Sequence, residues 1–439
     1  MANAERLYQH VVIVGGGAGG LELATRLGRR YGKKGLKVTL VDRETTHVWK
    51  PLLHEVATGS LDPSIDEVSY RSQARQAGFS FQIGQLEAVD RPQRCVRLAP
   101  VFNAEGERLL PERTLYYDYL VIAVGSQTND FGVPGVKEHC CFLDSREQAD
   151  NFHHRLLDTC LKLSGQRAQG ERFLRVAIVG AGATGVELSA ELYNAAQELM
   201  SYGLSKVDPR NMKVTLIEAG PQILGALPPR IANAAKVELR KLGVDVRENT
   251  QVVEARDGAL ITGNGEEIQA HLIVWAAGVK APELLKKLDG LETNNRNQLV
   301  VGPDLRTSRD ERIFALGDCA ACERRDGEGG LVPPRAQAAH QMASHLYRHF
   351  GQILKGEDIP GYEYKDYGSL VSLSKYSTVG NLMGNLTKGS VMVEGHLARL
   401  VYVSLYRMHQ VALFGYIKTA LVALVARINR VIRPRLKLH

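Results

Sequence analysis

The stretch Val11-Val-Ile-Val-Gly15-Gly-Gly17-Ala-Gly-Gly20 decides the fold. A second copy begins 165 residues later, as Val176-Ala-Ile-Val-Gly180-Ala-Gly182-Ala-Thr-Gly185. Each copy is a short, β-branched run, then G-x-G-x-x-G, then a helical pattern. One such motif arises by chance in loops; two in the same strand–turn–helix context are far more specific. The first glycine makes a tight turn, the second lets the backbone approach a pyrophosphate, and the third lets the helix pack on the strand. The helix N-terminus then offers free N–H groups and a positive dipole end to the anion. Two such units imply two dinucleotides in one protein and electron transfer between them.

The chain has 439 residues, enough for two or three domains with sizeable cores. Six cysteines are too few for a disulfide framework and point to a reducing compartment. Met1-Ala-Asn-Ala-Glu-Arg leads straight into the first strand, so no secretory signal is expected. The net charge of +7 is unevenly placed: no acid follows Glu394, whereas Arg399, Arg407, Lys418, Arg427, Arg430, Arg433, Arg435 and Lys437 do. These eight exceed the whole net charge, so the body is close to neutral. That argues against nucleic acid as a partner and for one local basic element.

Downstream of each glycine turn a strand ends in an acid. Lys37-Val-Thr-Leu-Val41 ends in Asp42, and Lys213-Val-Thr-Leu-Ile217 in Glu218. A carboxylate roughly 20 residues past the glycines accepts hydrogen bonds from a ribose. Asp42 lies 27 past Gly15, stretched by an intervening loop. Tyr116–Ser126 reads as a strand ending in Gly125-Ser126, Leu272–Gly278 as a strand ending in Ala277-Gly278, and Arg312–Asp318 as a strand ending in Gly-Asp. A helix is expected over 145–165, a second helix after Pro333-Pro334, a β-rich region over 362–404 and a helical tail over 405–432, with Pro434 as its stop. Gly415 is a place where the tail helix bends.

The order of first fingerprint, second fingerprint and late Gly-Asp resembles the two-dinucleotide-binding-domain flavoproteins. Within them the whole chain, tail included, is similar to the bacterial type II NADH dehydrogenases, single-subunit NADH:quinone oxidoreductases. Pro51-Leu-Leu, Ala276-Ala-Gly-Val279, Ala315-Leu-Gly-Asp318 and Ala336-Gln-Ala-Ala-His-Gln341 carry the resemblance. It implies an α/β fold of two Rossmann-like dinucleotide-binding domains, the second inserted in the first, plus a C-terminal amphipathic membrane-binding helical region. The boundaries expected are 1–145 and 286–395 for the FAD-binding domain, 146–285 for the NADH-binding domain and 396–439 for the tail.

The resemblance also implies non-covalent FAD on the first unit, at Gly15, Gly17, Ala18, Gly19, Gly20 and Asp42. Lys50, Pro51, Leu52, Gly125, Asp318, Ala336 and Gln337 complete that site. NADH, the substrate, would meet Gly180, Gly182, Ala183, Thr184, Gly185, Glu187, Glu218, Ala277 and Gly278. A carboxylate at 218 also repels the extra phosphate of NADPH. Glu187, Gln337 and Gln341 are the candidate catalytic residues, and Gln337, Gln341 and Lys375 the candidate quinone contacts. Gln337 and Gln341 lie four apart and can share one helix face, whereas capping or flavin contacts remain open for them. Glu187 can equally serve the helix dipole. The chemistry belongs to the cofactors: hydride from NADH to FAD, then two electrons to a quinone, ubiquinone or menaquinone. No metal is expected.

Cys319-Ala-Ala-Cys322 lies on the pyrophosphate side in this layout, and a structural thiol pair is the favoured reading over a redox or metal site. In the tail, neither Val411–Ile417 nor Thr419–Ala426 reaches the ~18 apolar residues of a spanning helix. As one helix, the tail would place Arg407, Gln410, Lys418, Asn429 and Arg433 on one arc, a membrane-surface helix with basic residues for anionic headgroups. Packing on the body or in a homodimer is the alternative. The expected location is peripheral (monotopic), on the cytoplasmic face of a bacterial inner membrane, with quinone reduction free of ion pumping. The competing functions are a flavin disulfide reductase, a sulfide:quinone oxidoreductase and a non-enzymatic NADH sensor at the membrane surface.

Overall fold

A computed structural model describes residues 9–62, 67–165, 173–201, 211–373, 377–383, 390–394 and 406–432. Strand β1 (His10–Val14) is the apolar run before the first glycine turn, and Val11–Val14 are buried. Burial on both faces is what a parallel strand covered by helices requires. Helix α1 (Ala18–Tyr31) follows directly and leads to β2 (Lys37–Asp42). Helix α2 (Leu53–Thr58), helix α3 (Tyr70–Ala77) and strand β3 (Ser80–Ile83) come next, and β4 (Tyr119–Ile122) flanks β1 on its other side. All three strand pairs, β1–β2, β1–β4 and β2–β3, are parallel.

After α4 (Arg146–Gly165) the pattern repeats. Strand β5 (Leu174–Val179), helix α5 (Ala183–Ser201) and strand β6 (Met212–Ile217) form the second glycine unit. Helix α6 (Pro229–Leu242), β7 (Asp245–Arg247) and β8 (Leu272–Trp275) complete a parallel four-stranded sheet in the order β7-β6-β5-β8. The chain then returns to the first sheet. Strands β9 (Arg306–Thr307) and β10 (Asp310–Ala315) extend it to β9-β10-β4-β1-β2-β3. The first sheet is therefore built from both sides of the second unit.

Helix α7 (Ala336–Ile353) packs on α1. Glu22 on α1 is fully buried in that interface, and it is compensated: Arg26 donates to one oxygen at 2.8 Å and His340 of α7 meets the other at 2.6 Å. A buried carboxylate without such partners would be strongly destabilising. The β-rich region is an antiparallel sheet of β11 (Gly368–Leu373), β12 (Ser377–Met383) and β13 (Ser390–Glu394).

The tail departs from a single helix. Helix α8 (residues 406–414) stops at Gly415, whose φ of +81° is left-handed, and α9 (Tyr416–Ile432) starts afresh. A left-handed residue after the last turn is the usual glycine stop of a helix. This corrects the continuous polar arc from Arg407 to Arg433. Helix α8 docks on the body: His409, Gln410 and Leu413 are buried, and the Leu413 carbonyl accepts from Arg29 at 2.5 Å and Gln73 at 2.9 Å. Helix α9 instead exposes Ile417, Leu421, Leu424, Val425 and Ile428. Arg399, Arg433, Arg435 and Lys437 lie outside the described residues, as do the side chains of Arg427 and Arg430. No described helix is long and apolar enough to cross a membrane.

Candidate active site

The glycines of both turns divide into the same three roles. A Cβ on Gly15, at φ +104°, would lie 2.3 Å from the Ala123 carbonyl oxygen; on Gly180, at φ +99°, it would lie 2.6 Å from the Ala277 Cα. A Cβ on Gly20 would meet the Gly15 oxygen at 1.9 Å, and on Gly185 the Gly180 oxygen at 2.0 Å. Those four glycines are required by the turn and by helix–strand packing. Gly17 and Gly182 differ: a Cβ there meets no protein atom within 4 Å, and both residues line the main cleft. The space kept clear at these two positions is what an approaching pyrophosphate needs. The turns thus fit two dinucleotides.

The two strand-end acids grip the turns. Asp42 accepts the Gly16 N–H at 2.5 Å and the Glu44 N–H at 2.8 Å; Glu218 accepts the Ala181 N–H at 2.9 Å and the Gly220 N–H at 2.8 Å. Burial pushes the Asp42 carboxyl above the ordinary range, against the pull of these amides. Asp42 lines the cleft, whereas Glu218 stands behind the second turn.

The cleft is continuous and holds about 1650 Å³. On its first-unit side are Ala18, Gly19, Pro51, Leu52, Gly125 and Ala336. Lys50 Nζ donates to the Ser126 carbonyl at 2.8 Å and to Asp144 at 3.2 Å. Ser126 Oγ donates to Asp318 at 2.7 Å, and burial raises the Asp318 carboxyl while Ser126 and Lys50 oppose that rise. Asp144 also receives the backbone and hydroxyl of Thr128. Lys50 and Asp318, 268 residues apart in sequence, thus belong to one polar cluster. Asp144 carries no sequence signal and Ser126 only that of a strand end, because an acid at a helix start and a serine after a strand carry no distinctive spacing.

Across the cleft, Gly182, Ala183, Thr184 and Gly278 face in from the second unit. Gly278 has φ +64°, and the Phe131 ring stands where its side chain would be. Ala277 packs against Gly180 instead of facing the cleft. Glu187 lies between the units. Its carboxyl is buried, accepts the Ser372 N–H at 2.9 Å and stands 3.6 Å from His54 Nδ1. Burial pushes it up to about 8, with Glu55 and Glu191 adding repulsion against the lowering by Ser372. Burial likewise pushes His54 down to about 4. At neutral pH both are therefore uncharged, and Glu187 carries a proton beside the cleft.

Gln337 and Gln341 both line the cleft from α7, on the same side, and both are bonded to backbone. Gln337 Nε2 donates to Asp366 at 3.3 Å and to the Gly368 carbonyl at 3.2 Å, and its oxygen accepts the Tyr367 N–H. Gln341 donates to the Lys365 carbonyl at 2.8 Å and accepts the Lys365 N–H at 3.0 Å. Lys375 lies outside the described residues.

An aromatic cluster joins the tail to the first glycine turn; it is invisible in the sequence because its two histidines are 362 residues apart. His47 Nδ1 and Tyr70 Oη each sit 2.9 Å from the Gly16 carbonyl. His47 Nε2 pairs with His409 Nε2 of α8 at 3.1 Å, and the His409 ring lies 4.4 Å from the Trp49 ring. With Nδ1 of His47 donating to Gly16, its Nε2 must accept, so His409 carries its proton on Nε2.

Cys319 and Cys322 are buried free thiols, both pushed up to about 11 by burial. Neither lines the cleft, nor does any other cysteine. Such thiols are poor nucleophiles. Among the described residues no cluster could hold a metal ion.

Two units that present open glycine turns to one cleft, without a cleft cysteine, define a flavin- and pyridine-nucleotide-type oxidoreductase. The family model described as pyridine nucleotide-disulphide oxidoreductase matches residues 9–343. The type II NADH:quinone oxidoreductase of Haemophilus influenzae is 49% identical, covering 98% of this chain and all of its own. The enzyme of the same name from Staphylococcus aureus is 27% identical over 86% of this chain and 91% of its own. The solved structure of NDH2 from Plasmodium falciparum in complex with NADH superposes with a TM-score of 0.82 at 20% identity, covering 98% of this chain and all of that one. Within the wider family, the chain belongs to the type II NADH:quinone oxidoreductases.

Proposed function

We infer that the chain oxidises NADH and reduces a quinone through bound FAD. The observation that carries this is the pair of glycine turns, Gly15–Gly20 and Gly180–Gly185, opening on one cleft with Glu187 between them. FAD supplies hydride acceptance and two-electron transfer. The chain's residues position and insulate that chemistry. Gly17 and the α1 N-terminus receive the pyrophosphate of FAD, Asp42 its ribose, and Lys50, Asp318 and Ala336 its inner half. Gly182 and Thr184 receive NADH, with Glu218 holding the second turn in shape from behind and Gly278 lining the same side of the cleft. Glu187, neutral and buried, orients the hydride donor without placing a charge beside it. Residues 1–145 with 286–395 act as the FAD-binding unit and 146–285 as the NADH-binding unit.

The quinone reaches the cleft on the α7 side, at Gln337 and Gln341. Helix α9 brings the enzyme to the membrane. The exposed side chains of Ile417, Leu421, Leu424, Val425 and Ile428 would each gain roughly 1.5–3 kcal/mol on full burial, ample for reversible interfacial binding. Lys418 and the other tail bases favour an anionic surface, the cytoplasmic face of a bacterial inner membrane. No described helix crosses a membrane, which supports quinone reduction without ion pumping. Purified enzyme should oxidise NADH with a short-chain quinone as acceptor, and vesicles carrying it should build no proton gradient. Turnover only with a thiol–disulfide substrate would overturn the reading.

A further inference from the structure

Three residues expected to act on the reaction come from two different units and bond to one eight-residue segment, Lys365–Ser372. Glu187 of α5 takes the Ser372 N–H, Gln341 of α7 closes a two-way bond with Lys365, and Gln337 of α7 bonds at Asp366, Tyr367 and Gly368. The segment therefore spans from α7 to the buried Glu187 carboxyl.

Asp366 holds the segment's start. Its Oδ1 accepts the Gly368 N–H at 2.8 Å and Gln337 Nε2 at 3.3 Å. Arg335, the residue immediately before α7, donates through Nη1 to Oδ2 at 3.0 Å and to Oδ1 at 3.3 Å. The ion pair is about three-quarters buried, so solvent screens it only partly. The side-chain amide of Gln337 has two N–H groups, and both are used, one on Asp366 and one on the Gly368 carbonyl. Its rotation is thereby fixed, and the distance between α7 and β11 is fixed with it.

We propose that Asp366 is a positioning residue for the quinone half of the reaction: by clamping Arg335, Gln337 and the turn at Gly368, it sets the wall of the quinone site. This rests on the quinone reading of α7. It bears on the quinone half first: Gly182, Gly17 and Asp318, which receive NADH and FAD, make no bond to Asp366, and Glu187 meets the segment only at its far end, Ser372. Loss of the carboxylate leaves the Arg335 guanidinium and the Gln337 amide seeking new partners, and the wall shifts where the quinone binds.

The test uses the full-length FAD-loaded enzyme with Asp366→Ala, Asp366→Asn and Gln337→Leu. Flavin bleaching by NADH is followed by rapid mixing, and steady-state turnover is measured with a short-chain ubiquinone and with ferricyanide, which needs no quinone site. Asp366→Ala should raise the quinone KM about tenfold, the size of one lost charge-assisted hydrogen bond. Bleaching and ferricyanide turnover should stay at the wild-type level. Asp366→Asn, which still accepts the Gly368 N–H, should recover part of the loss and keeps the test open if the alanine variant fails to fold. An unchanged quinone KM in both Asp366 variants, or a parallel fall in bleaching and ferricyanide turnover, overturns the proposal. If Gln337→Leu also leaves quinone kinetics untouched, the quinone reading of α7 itself fails; if only Gln337→Leu responds, the clamp alone fails.

Discussion

Asp42 and Glu218 stand 176 residues apart and make the same two bonds. Each accepts one backbone N–H from the second residue of its glycine motif and one from the residue two positions after itself. A repeat at the level of strand, turn and helix thus extends to individual hydrogen bonds. The consequence is that each acid shapes its own turn. Asp42→Ala should lower FAD content, read from the flavin-to-protein absorbance ratio. Glu218→Ala should leave FAD content unchanged and raise the NADH KM about tenfold, as expected when the carboxylate that holds the Ala181 and Gly220 amides is lost.

The open and closed glycines should separate binding from folding. Gly17→Ala adds a methyl where no protein atom lies within 4 Å, and its φ of −66° suits alanine. That variant should fold and fail to retain FAD. Gly182→Ala should fold, keep FAD and bind NADH weakly. Gly20→Ala forces a methyl to 1.9 Å from the Gly15 oxygen and should lose roughly 1–3 kcal/mol or more of stability, seen as a lower Tm.

Much of this was legible in the sequence because it is local. The glycine units, the acids at their strand ends and the strand ending at Asp318 are each written in ten or fewer neighbouring residues. The clamp on Gln337 and Gln341 was not, because it depends on the path of backbone 365–368, and irregular backbone carries no periodicity to read. The His47–His409 pair was hidden for a different reason: lone histidines at large separation have no pattern until the fold brings them together. The tail's composition is legible but its continuity is not: a glycine inside a helical pattern reads as a bend, whereas left-handed Gly415 ends one helix and frees the next to point its apolar face outward.

That break predicts two separable parts of the tail. Removing residues 416–439 should release the enzyme from anionic vesicles in a flotation assay while FAD content stays intact. Leu421→Glu with Val425→Glu should weaken vesicle binding similarly, since both side chains are exposed on α9. His409→Ala acts elsewhere: it removes a ring packed on Trp49 and the partner of His47, so it should lower Tm by an amount matching roughly 1–3 kcal/mol without changing vesicle binding.

Glu187 should imprint itself on the pH dependence. Its folded-state pKa of about 8 lies above the ordinary 4.5, so the folded protein holds this proton more tightly than the unfolded chain. The resulting stability is complete below pH 4.5 and is lost as pH rises toward about 8. Denaturant midpoints of wild type and Glu187→Gln should therefore diverge with pH, wild type losing ground as pH rises through that window. A difference independent of pH would mean that Glu187 is not neutral in the fold.

The central claim is that one cleft takes electrons from NADH and yields them to a quinone. It is tested most directly by the flavin spectrum of the purified enzyme in an anaerobic rapid-mixing cell. Addition of NADH should bleach the oxidised-flavin band, and a second addition, of a ubiquinone or menaquinone analogue, should restore it with one quinone consumed per NADH. A flavin that NADH does not bleach, or that quinone leaves reduced while a disulfide reoxidises it, would contradict the account.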